Sequence, residues 1–158
     1  MHMVMSVVVI ESPYSGDIDR NIRYLALCGF DAALLHDELA YASHAWMTQH
    51  PRAKGLFVSD YDPKWDVLTR NQAIALSQRM RHLATMTVFY VDLGWSSGMM
   101  AARAYCEEHD LPYTCRTLDI IALSSKVSFC TREFCRAIID RKPYEHFLEP
   151  ATTLQTSS

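Results

Sequence analysis

The chain has 158 residues, 49% of them hydrophobic, and a formal net charge of −3, which is enough apolar material for the core of one domain. The 15 Lys and Arg residues are scattered along the chain, no apolar run reaches the roughly 20 residues of a transmembrane helix, and the N-terminus lacks the basic region of a signal peptide. These features argue against a nucleic-acid polymer or a membrane as partner and predict a cytoplasmic protein.

The first half of the chain predicts two strands with a helix between them. Residues 4–10 are apolar on both alternations, as central parallel strands are. Apolar residues at helical spacing then predict a helix over about 17–36, and residues 38–44 predict a short second strand. The irregular stretch over about 47–65 is predicted to be a long loop of the kind that carries function.

The second half continues the alternation of strands and helices. The pattern predicts helices over about 65–83, 99–109 and within 130–141, with strands at 87–91 and 111–116. Strands that alternate with helices indicate parallel crossovers. We therefore predict an α/β fold, a three-layer sandwich with a flavodoxin- or Rossmann-like parallel sheet of four to five strands.

The domain boundaries follow from where the pattern weakens. Residues 1–118 are predicted to form the α/β domain, and residues 119–148 a C-terminal helical extension of the same domain. Residues 149–158 are polar and are predicted to be a disordered tail.

The cysteine content argues against a disulfide framework or a zinc site. The chain has five cysteines, an odd number, and no CxxC pair. Cys130 and Cys135 are five positions apart, so on a helix they would not share a close face, and no His pair completes a metal site. We expect buried free thiols and no metal or other cofactor.

Polar segments follow three of the predicted strands. They are "ESPYSGD" after the first, "SHAWMTQ" after the second and "DLGWSSGM" after the third. Ligands of open parallel sheets bind outside the carboxyl ends of the strands. The three segments are therefore predicted to form one ligand site.

The turn after the first strand leads directly into a helix, whose free backbone N–H groups attract anions. Its candidate binding residues are Ser12, Pro13, Tyr14, Ser15, Gly16 and Asp17. The hydroxyl and glycine residues suit a phosphate or a sugar hydroxyl, and Tyr14 supplies a flat face for a base or sugar. An ordinary helix-capping turn explains the same residues equally well. The turn is neither a Walker loop nor a GxGxxG fingerprint, because neither motif is present.

The segment after the third strand has the same character. Its candidate residues are Asp92, Ser96, Ser97, Gly98 and Met99. A carboxylate at the end of a strand can bind ribose hydroxyls or act as acid, base or nucleophile. The alternative for Asp92 is an aspartate that caps N–H groups of its own turn.

Two further side chains are candidates from the remaining segments. His44 could contact a phosphate or carry a proton, although a structural histidine explains it as well. Arg70 could hold a phosphate bidentately, or it could be a solvated arginine on a helix face.

Taken together, "SPYSGD", "ASHAWMTQ" and "TVFYVDLGWSSGM…A…LPYTCRTL" resemble a bacterial and phage domain of unknown function in the nucleoside 2-deoxyribosyltransferase-like superfamily. The resemblance covers roughly Val7 to Leu118. It implies a flavodoxin-like sheet, with the 12–16 turn at the sugar and phosphate and residues 96–98 forming a second such loop. It also implies transfer of deoxyribose between bases or hydrolysis of an N-glycosidic bond, through a glutamate early in the following helix.

This chain departs from the superfamily at the nucleophile. The glutamate falls on Met100 or Ala102, depending on the register, and Thr85 stands where an aspartate is often found. Catalysis would then depend on Asp92, with Tyr14 and His44 in support.

Three hypotheses remain open from the sequence. The first is an enzyme, an N-glycosidic bond hydrolase or deoxyribosyltransferase that acts on a nucleoside or nucleoside 5′-monophosphate. The second is an inactive nucleotide-binding module that sequesters or senses a small nucleotide. The third is a scaffold whose region after Leu118 makes protein contacts. A homodimer is expected in each case, because the superfamily commonly completes its sites across dimer interfaces.

Overall fold

A computed structural model describes residues 6–43 and 70–140 of the chain. Its four strands are β1 (Ser6–Glu11), β2 (Glu38–Tyr41), β3 (Met86–Tyr90) and β4 (Tyr113–Arg116). They form one sheet in the order β2-β1-β3-β4, and every pair is parallel. This order follows the flavodoxin-like arrangement.

Helices cover both faces of the sheet. They are α1 (Ile18–Leu35), α2 (Arg70–Leu83), α3 (Ser97–Glu108), α4 (Ile120–Lys126) and α5 (Arg132–Ile139). Helices α1, α4 and α5 pack together on one face, while α2 and α3 lie on the other. The predicted three-layer α/β sandwich is therefore confirmed.

The core has a large and a small part, one on each face of the sheet. On the α1 face, Val8, Ile10 and Val88 pack against fully buried side chains of α1 such as Leu27. Side chains of α4 and α5 belong to this part as well, including Leu123, Cys135 and Ile138. On the other face, Phe89 packs against the buried Met99 and Ala102 of α3.

Most predicted elements are confirmed, with shifts at their ends. The helix predicted over 17–36 is α1, and its N-cap is Asp17 and its C-cap His36. The second strand ends at Tyr41 rather than at residue 44. Helix α3 begins two residues earlier than predicted, because Ser96 caps it. The short helix α4 lies within the predicted helical extension over 119–148, where the sequence predicted an individual helix only within 130–141. The predicted elements over 1–5, 44–69 and 141–158, including the tail, lie outside the described residues.

The cysteines differ from expectation in two details. Cys115 is exposed, whereas the other four thiols are free and buried as expected. The thiols of Cys130 and Cys135 are hydrogen-bonded neighbours. The helical-spacing argument failed because Cys130 precedes Thr131, the N-cap of α5, and so is not part of that helix.

Candidate functional site

The chain changes direction across the sheet between β1 and β3. From β1 it passes to β2 on one side, and β3 then pairs with β1 on the other side, with Glu11 in register with Phe89. The segments 12–17 and 91–96 leave these two neighbouring strands at their carboxyl ends. This is the switch point where open α/β sheets bind their ligands.

The turn after β1 is held by Asn21, a buried residue of α1. Its side-chain nitrogen donates to the carbonyl oxygens of Tyr14 and Ser15, at 2.9 Å in each case. Gly16 has a φ of 93°, a conformation that costs little only for glycine. The Asn21 side chain therefore fixes the backbone of this turn.

The predicted binding residues of this turn differ in exposure. Ser12 is buried, Pro13 and Tyr14 are half-buried, and Ser15, Gly16 and Asp17 are exposed. Asp17 is the N-cap of α1: its Oδ1 accepts from the Arg20 backbone N–H at 3.2 Å, and its Oδ2 pairs with the Arg20 guanidinium at 3.0 Å. The capping alternative thus describes Asp17, while Ser15 and Gly16 remain accessible to a ligand.

The predicted residues at the start of α3 fall into two groups, those that the fold itself uses and those that are exposed to solvent. The hydroxyl of Ser96 caps the helix and accepts from the Met99 backbone N–H at 3.2 Å. Met99 is buried against Phe89, so its side chain serves the core rather than a ligand. Ser97 and Gly98 are exposed, and they belong to the first turn, where backbone N–H groups lack acceptors within the helix.

An aromatic surface lies directly before this helix. Trp95 is 38% exposed, and its ring centroid lies 5.2 Å from that of Phe89, with 35° between the ring planes. The Arg103 guanidinium lies 5.7 Å from the Trp95 centroid. A large ring fixed in this way offers a flat face beside the start of α3.

Asp92 is engaged by two other parts of the fold. Its Oδ2 accepts from the Tyr24 hydroxyl at 2.6 Å, and both carboxylate oxygens lie 3.2 Å from the backbone nitrogen of Leu118. The Asp92 backbone N–H in turn donates to the Tyr24 hydroxyl oxygen at 3.1 Å. Burial, with further contributions from Cys28 and Asp92, raises the pKa of Tyr24 far above its usual value. Asp92 therefore joins the end of β3 to α1 and to the segment after β4.

Sequence reasoning missed a second carboxylate, Glu11, at the end of β1. It is ion-paired with Arg81 of α2, whose Nη1 also donates to Ser77 Oγ at 3.2 Å. Burial raises the pKa of Glu11 to about 7, although Arg81 acts to lower it. A buried carboxyl group with such a pKa is typical of functional sites. The signal in the sequence is an acidic residue directly after an apolar strand, the first letter of "ESPYSGD".

The remaining candidates are only partly accounted for. Arg70 is the first residue of α2, but its side chain and all of His44 lie outside the described residues. Within residues 6–43 and 70–140, no group of three or more His, Cys, Asp or Glu side chains could hold a metal ion. In the same part of the chain, no helix is long and apolar enough to cross a membrane.

The fold and these strand ends define a parallel α/β domain with a candidate ligand site at its switch point. A family model described as a domain of unknown function, DUF7768, matches residues 6–116, and the chain belongs to this family. No curated protein and no solved structure matches the chain.

Proposed function

We propose that this domain binds a nucleoside or nucleotide at the carboxyl ends of β1 and β3, and that it does so without turnover. The observation that carries the proposal is the convergence of two hydroxyl-rich segments, 12–17 and 91–98, on neighbouring strands at the switch point. The exposed first turn of α3 suits a phosphate, and the Trp95 face suits a base or sugar ring. The resemblance to the nucleoside 2-deoxyribosyltransferase-like superfamily supports this class of ligand.

The hydrogen bonds that the Asp92 carboxylate accepts favour binding over catalysis. Hydrogen bonds to a carboxylate stabilise its charge and so lower its nucleophilicity, and Asp92 accepts them from the Tyr24 hydroxyl and the Leu118 N–H. Neither Met100, which is exposed, nor Ala102, which is buried, can replace the superfamily's glutamate. We therefore assign Asp92 the role of a positioning residue that fixes the end of β3.

The second candidate function is an N-glycosidic bond hydrolase or deoxyribosyltransferase. Glu11 favours it, because a carboxyl group with a pKa of about 7 can donate and accept protons near neutral pH. A homodimer, and a role of His44 and Tyr14 in support of catalysis, stay predictions.

The experiment exposes the purified protein to deoxynucleosides, deoxynucleoside 5′-monophosphates, ribonucleotides and NAD. Each sample is measured for its thermal shift and then chromatographed for free base. A ligand at 100 times its dissociation constant stabilises the fold by about 2.7 kcal/mol. We expect a shift with the ligand recovered intact. Released base would instead support the enzyme, and the absence of any shift or product would contradict both candidates.

A further inference from the structure

The Glu11–Arg81 pair lies at the same edge of the sheet as the proposed ligand site. Glu11 is the last residue of β1, and its pairing to Arg81 places it on the face covered by α2 and α3. The Arg81 side chain is 4% exposed and the Glu11 side chain 11%. Glu11 is therefore the more accessible member, with the guanidinium held deeper in the structure.

The register places Glu11 next to Phe89, on the face of the sheet that α3 covers. Its partner across the ladder is Phe89, and partners in register point to the same face of a sheet. Phe89 packs against Met99 of the first turn of α3 and against the Trp95 ring. Phe89 therefore lies between Glu11 and the residues proposed to hold the phosphate and the base.

Among residues 6–43 and 70–140, Arg81 is the charged group that acts on Glu11. From α2, Ser77 accepts from Arg81, and from β2, Tyr41 lies within the electrostatic reach of the same guanidinium. From β3, Thr87 is buried and uncharged, and its hydroxyl accepts from the Cys106 thiol of α3 at 3.7 Å. The Arg81 Nε is buried and has no hydrogen-bond partner among the described residues. One N–H of the guanidinium thus has no acceptor among the described residues even when its carboxylate partner is present.

We propose that Glu11 and Arg81 select the charge of the ligand, so that the site binds a phosphate-bearing nucleotide in preference to the matching nucleoside, with a proton taken up by Glu11. The inference rests on the proposed function and specifies its ligand. When Glu11 is neutral, the positive charge of Arg81 is uncancelled and attracts an anion. When Glu11 is ionised, it cancels that charge and adds a negative group beside the phosphate. The proton comes from solvent, and no covalent bond changes.

The protonated form is accessible because burial raises the pKa of Glu11 to about 7. A bound phosphate raises this pKa further, since a nearby negative charge favours the neutral carboxyl group. Proton uptake and nucleotide binding therefore strengthen each other.

The test measures dissociation constants by calorimetry for the four deoxynucleoside 5′-monophosphates and the four matching deoxynucleosides, at pH 7 and pH 8.5. The second phosphate proton has a pKa of about 6, so the ligand's charge is nearly constant over this range. If only the protonated form of Glu11 binds, nucleotide affinity falls by about 15-fold. The nucleoside affinity is expected to stay constant.

Two variants separate Glu11 from other titrating groups. Glu11→Gln imitates the neutral carboxyl group and is expected to remove the pH dependence while keeping the preference for nucleotides. Glu108→Gln is the matched control, because Glu108 is another exposed acid of α3, and its nucleotide affinity should depend on pH as that of the unmodified chain does. An equal pH dependence in Glu11→Gln, or equal affinity for nucleoside and nucleotide, would overturn the inference.

A measurement on the unmodified protein guards against a variant that fails to fold. Calorimetry at pH 7.5 in two buffers of different ionisation enthalpy counts the protons taken up per nucleotide bound. We expect roughly 0.8 proton from a pKa of about 7, and zero uptake would overturn the inference. If no nucleoside or nucleotide binds at all, the proposed function itself fails, which is a different result from binding without proton uptake.

Discussion

The Tyr24 hydroxyl donates a 2.6 Å hydrogen bond to the carboxylate of Asp92, across 68 positions of sequence. Tyr24 is fully buried in the core, so its hydroxyl needs a partner within the protein. Asp92 supplies that partner and also accepts from the Leu118 backbone N–H. The contact fixes the segment between β3 and α3 relative to the first helix, and so it positions the candidate site.

Replacing Asp92 tests whether this carboxylate is structural. We expect Asp92→Ala to lower the free energy of unfolding by about 1–3 kcal/mol, because the Tyr24 hydroxyl and the Leu118 N–H lose their acceptor. Asp92→Asn keeps one acceptor oxygen and should cost less. Urea denaturation measures both changes, and Tyr24→Phe, combined with each variant, gives the coupling between the two residues.

Ligand affinity provides the functional side of the same test. The dissociation constant of Asp92→Asn for the ligand should lie within about twofold of that of the unmodified chain, because the substitution removes no contact to the ligand. A complete loss of binding in a folded Asp92→Asn variant would assign the carboxylate to the ligand instead.

A negative charge at the start of α3 should block an anionic ligand without harming the fold. In Ser97→Glu, the new carboxylate lies in the first helical turn, where it is stabilising by about 0.3–1 kcal/mol. We expect unchanged or raised thermal stability and at least a tenfold loss of nucleotide affinity. Ala104→Glu is the matched control, because this exposed position adds the same charge about 10 Å further along the helix. Equal losses in both variants would remove the first turn of α3 from the site.

The burial of Glu11 predicts a stability that falls as the pH rises. Its pKa is raised from 4.5 in the unfolded reference to about 7 in the fold, so the native state binds the extra proton between these values. The contribution is fully favourable below pH 4.5 and is lost as the pH rises to about 7. Relative to Glu11→Gln, the unmodified chain should lose about 2–3 kcal/mol of unfolding free energy between pH 5 and pH 8. A constant difference between the two chains across this range would contradict the raised pKa.

Arg116 belongs to a polar network that reaches Asp31 of α1, so replacing it should strongly lower the stability of the fold. Its guanidinium donates to both oxygens of Glu38 at 2.8 and 3.1 Å and to the Tyr90 hydroxyl at 3.3 Å. The Tyr90 hydroxyl donates onward to the buried Asp31 at 2.7 Å. Arg116→Met leaves Glu38 nearly buried without its partner, so we expect a loss of about 3 kcal/mol.

The double variant Arg116→Met with Glu38→Gln should recover part of that loss, because the unpaired charge is then removed. Thermal and urea unfolding of the two variants and of the unmodified chain measure the effect. If the double variant is no more stable than Arg116→Met alone, the pair contributes through packing rather than charge.

The central strands and the first helix could be predicted from the sequence because their signals are local. Val8, Val9 and Ile10 are fully buried, as a strand covered on both faces requires. Helix α1 is long enough for its apolar spacing to be clear, and Asp17 marks its start. Helix α4 has only seven residues, too few for a period to stand out, and so its bounds within the predicted helical extension could not be predicted.

The candidate site was only half predictable because its two carboxylates depend on tertiary contacts. The partners of Asp92 lie 68 and 26 positions away. Its position after β3 therefore suggested a carboxylate available to a ligand, whereas in the fold this carboxylate accepts hydrogen bonds from the protein itself. The partner of Glu11 is 70 positions away on α2. No local pattern reports that pairing, and the register of β1 against β3 is what places Glu11 next to Phe89, on the face that α3 covers.

The location of the ligand is the central claim, and backbone amide NMR tests it most directly. The tightest-binding compound of the nucleoside and nucleotide panel is titrated into isotope-labelled protein. We predict that the amide signals of Ser12, of residues 14–17 and of residues 96–99 shift together and saturate at one dissociation constant. Saturable shifts confined to another region, such as residues 118–121, with these two segments unchanged, would contradict a ligand site at the switch point.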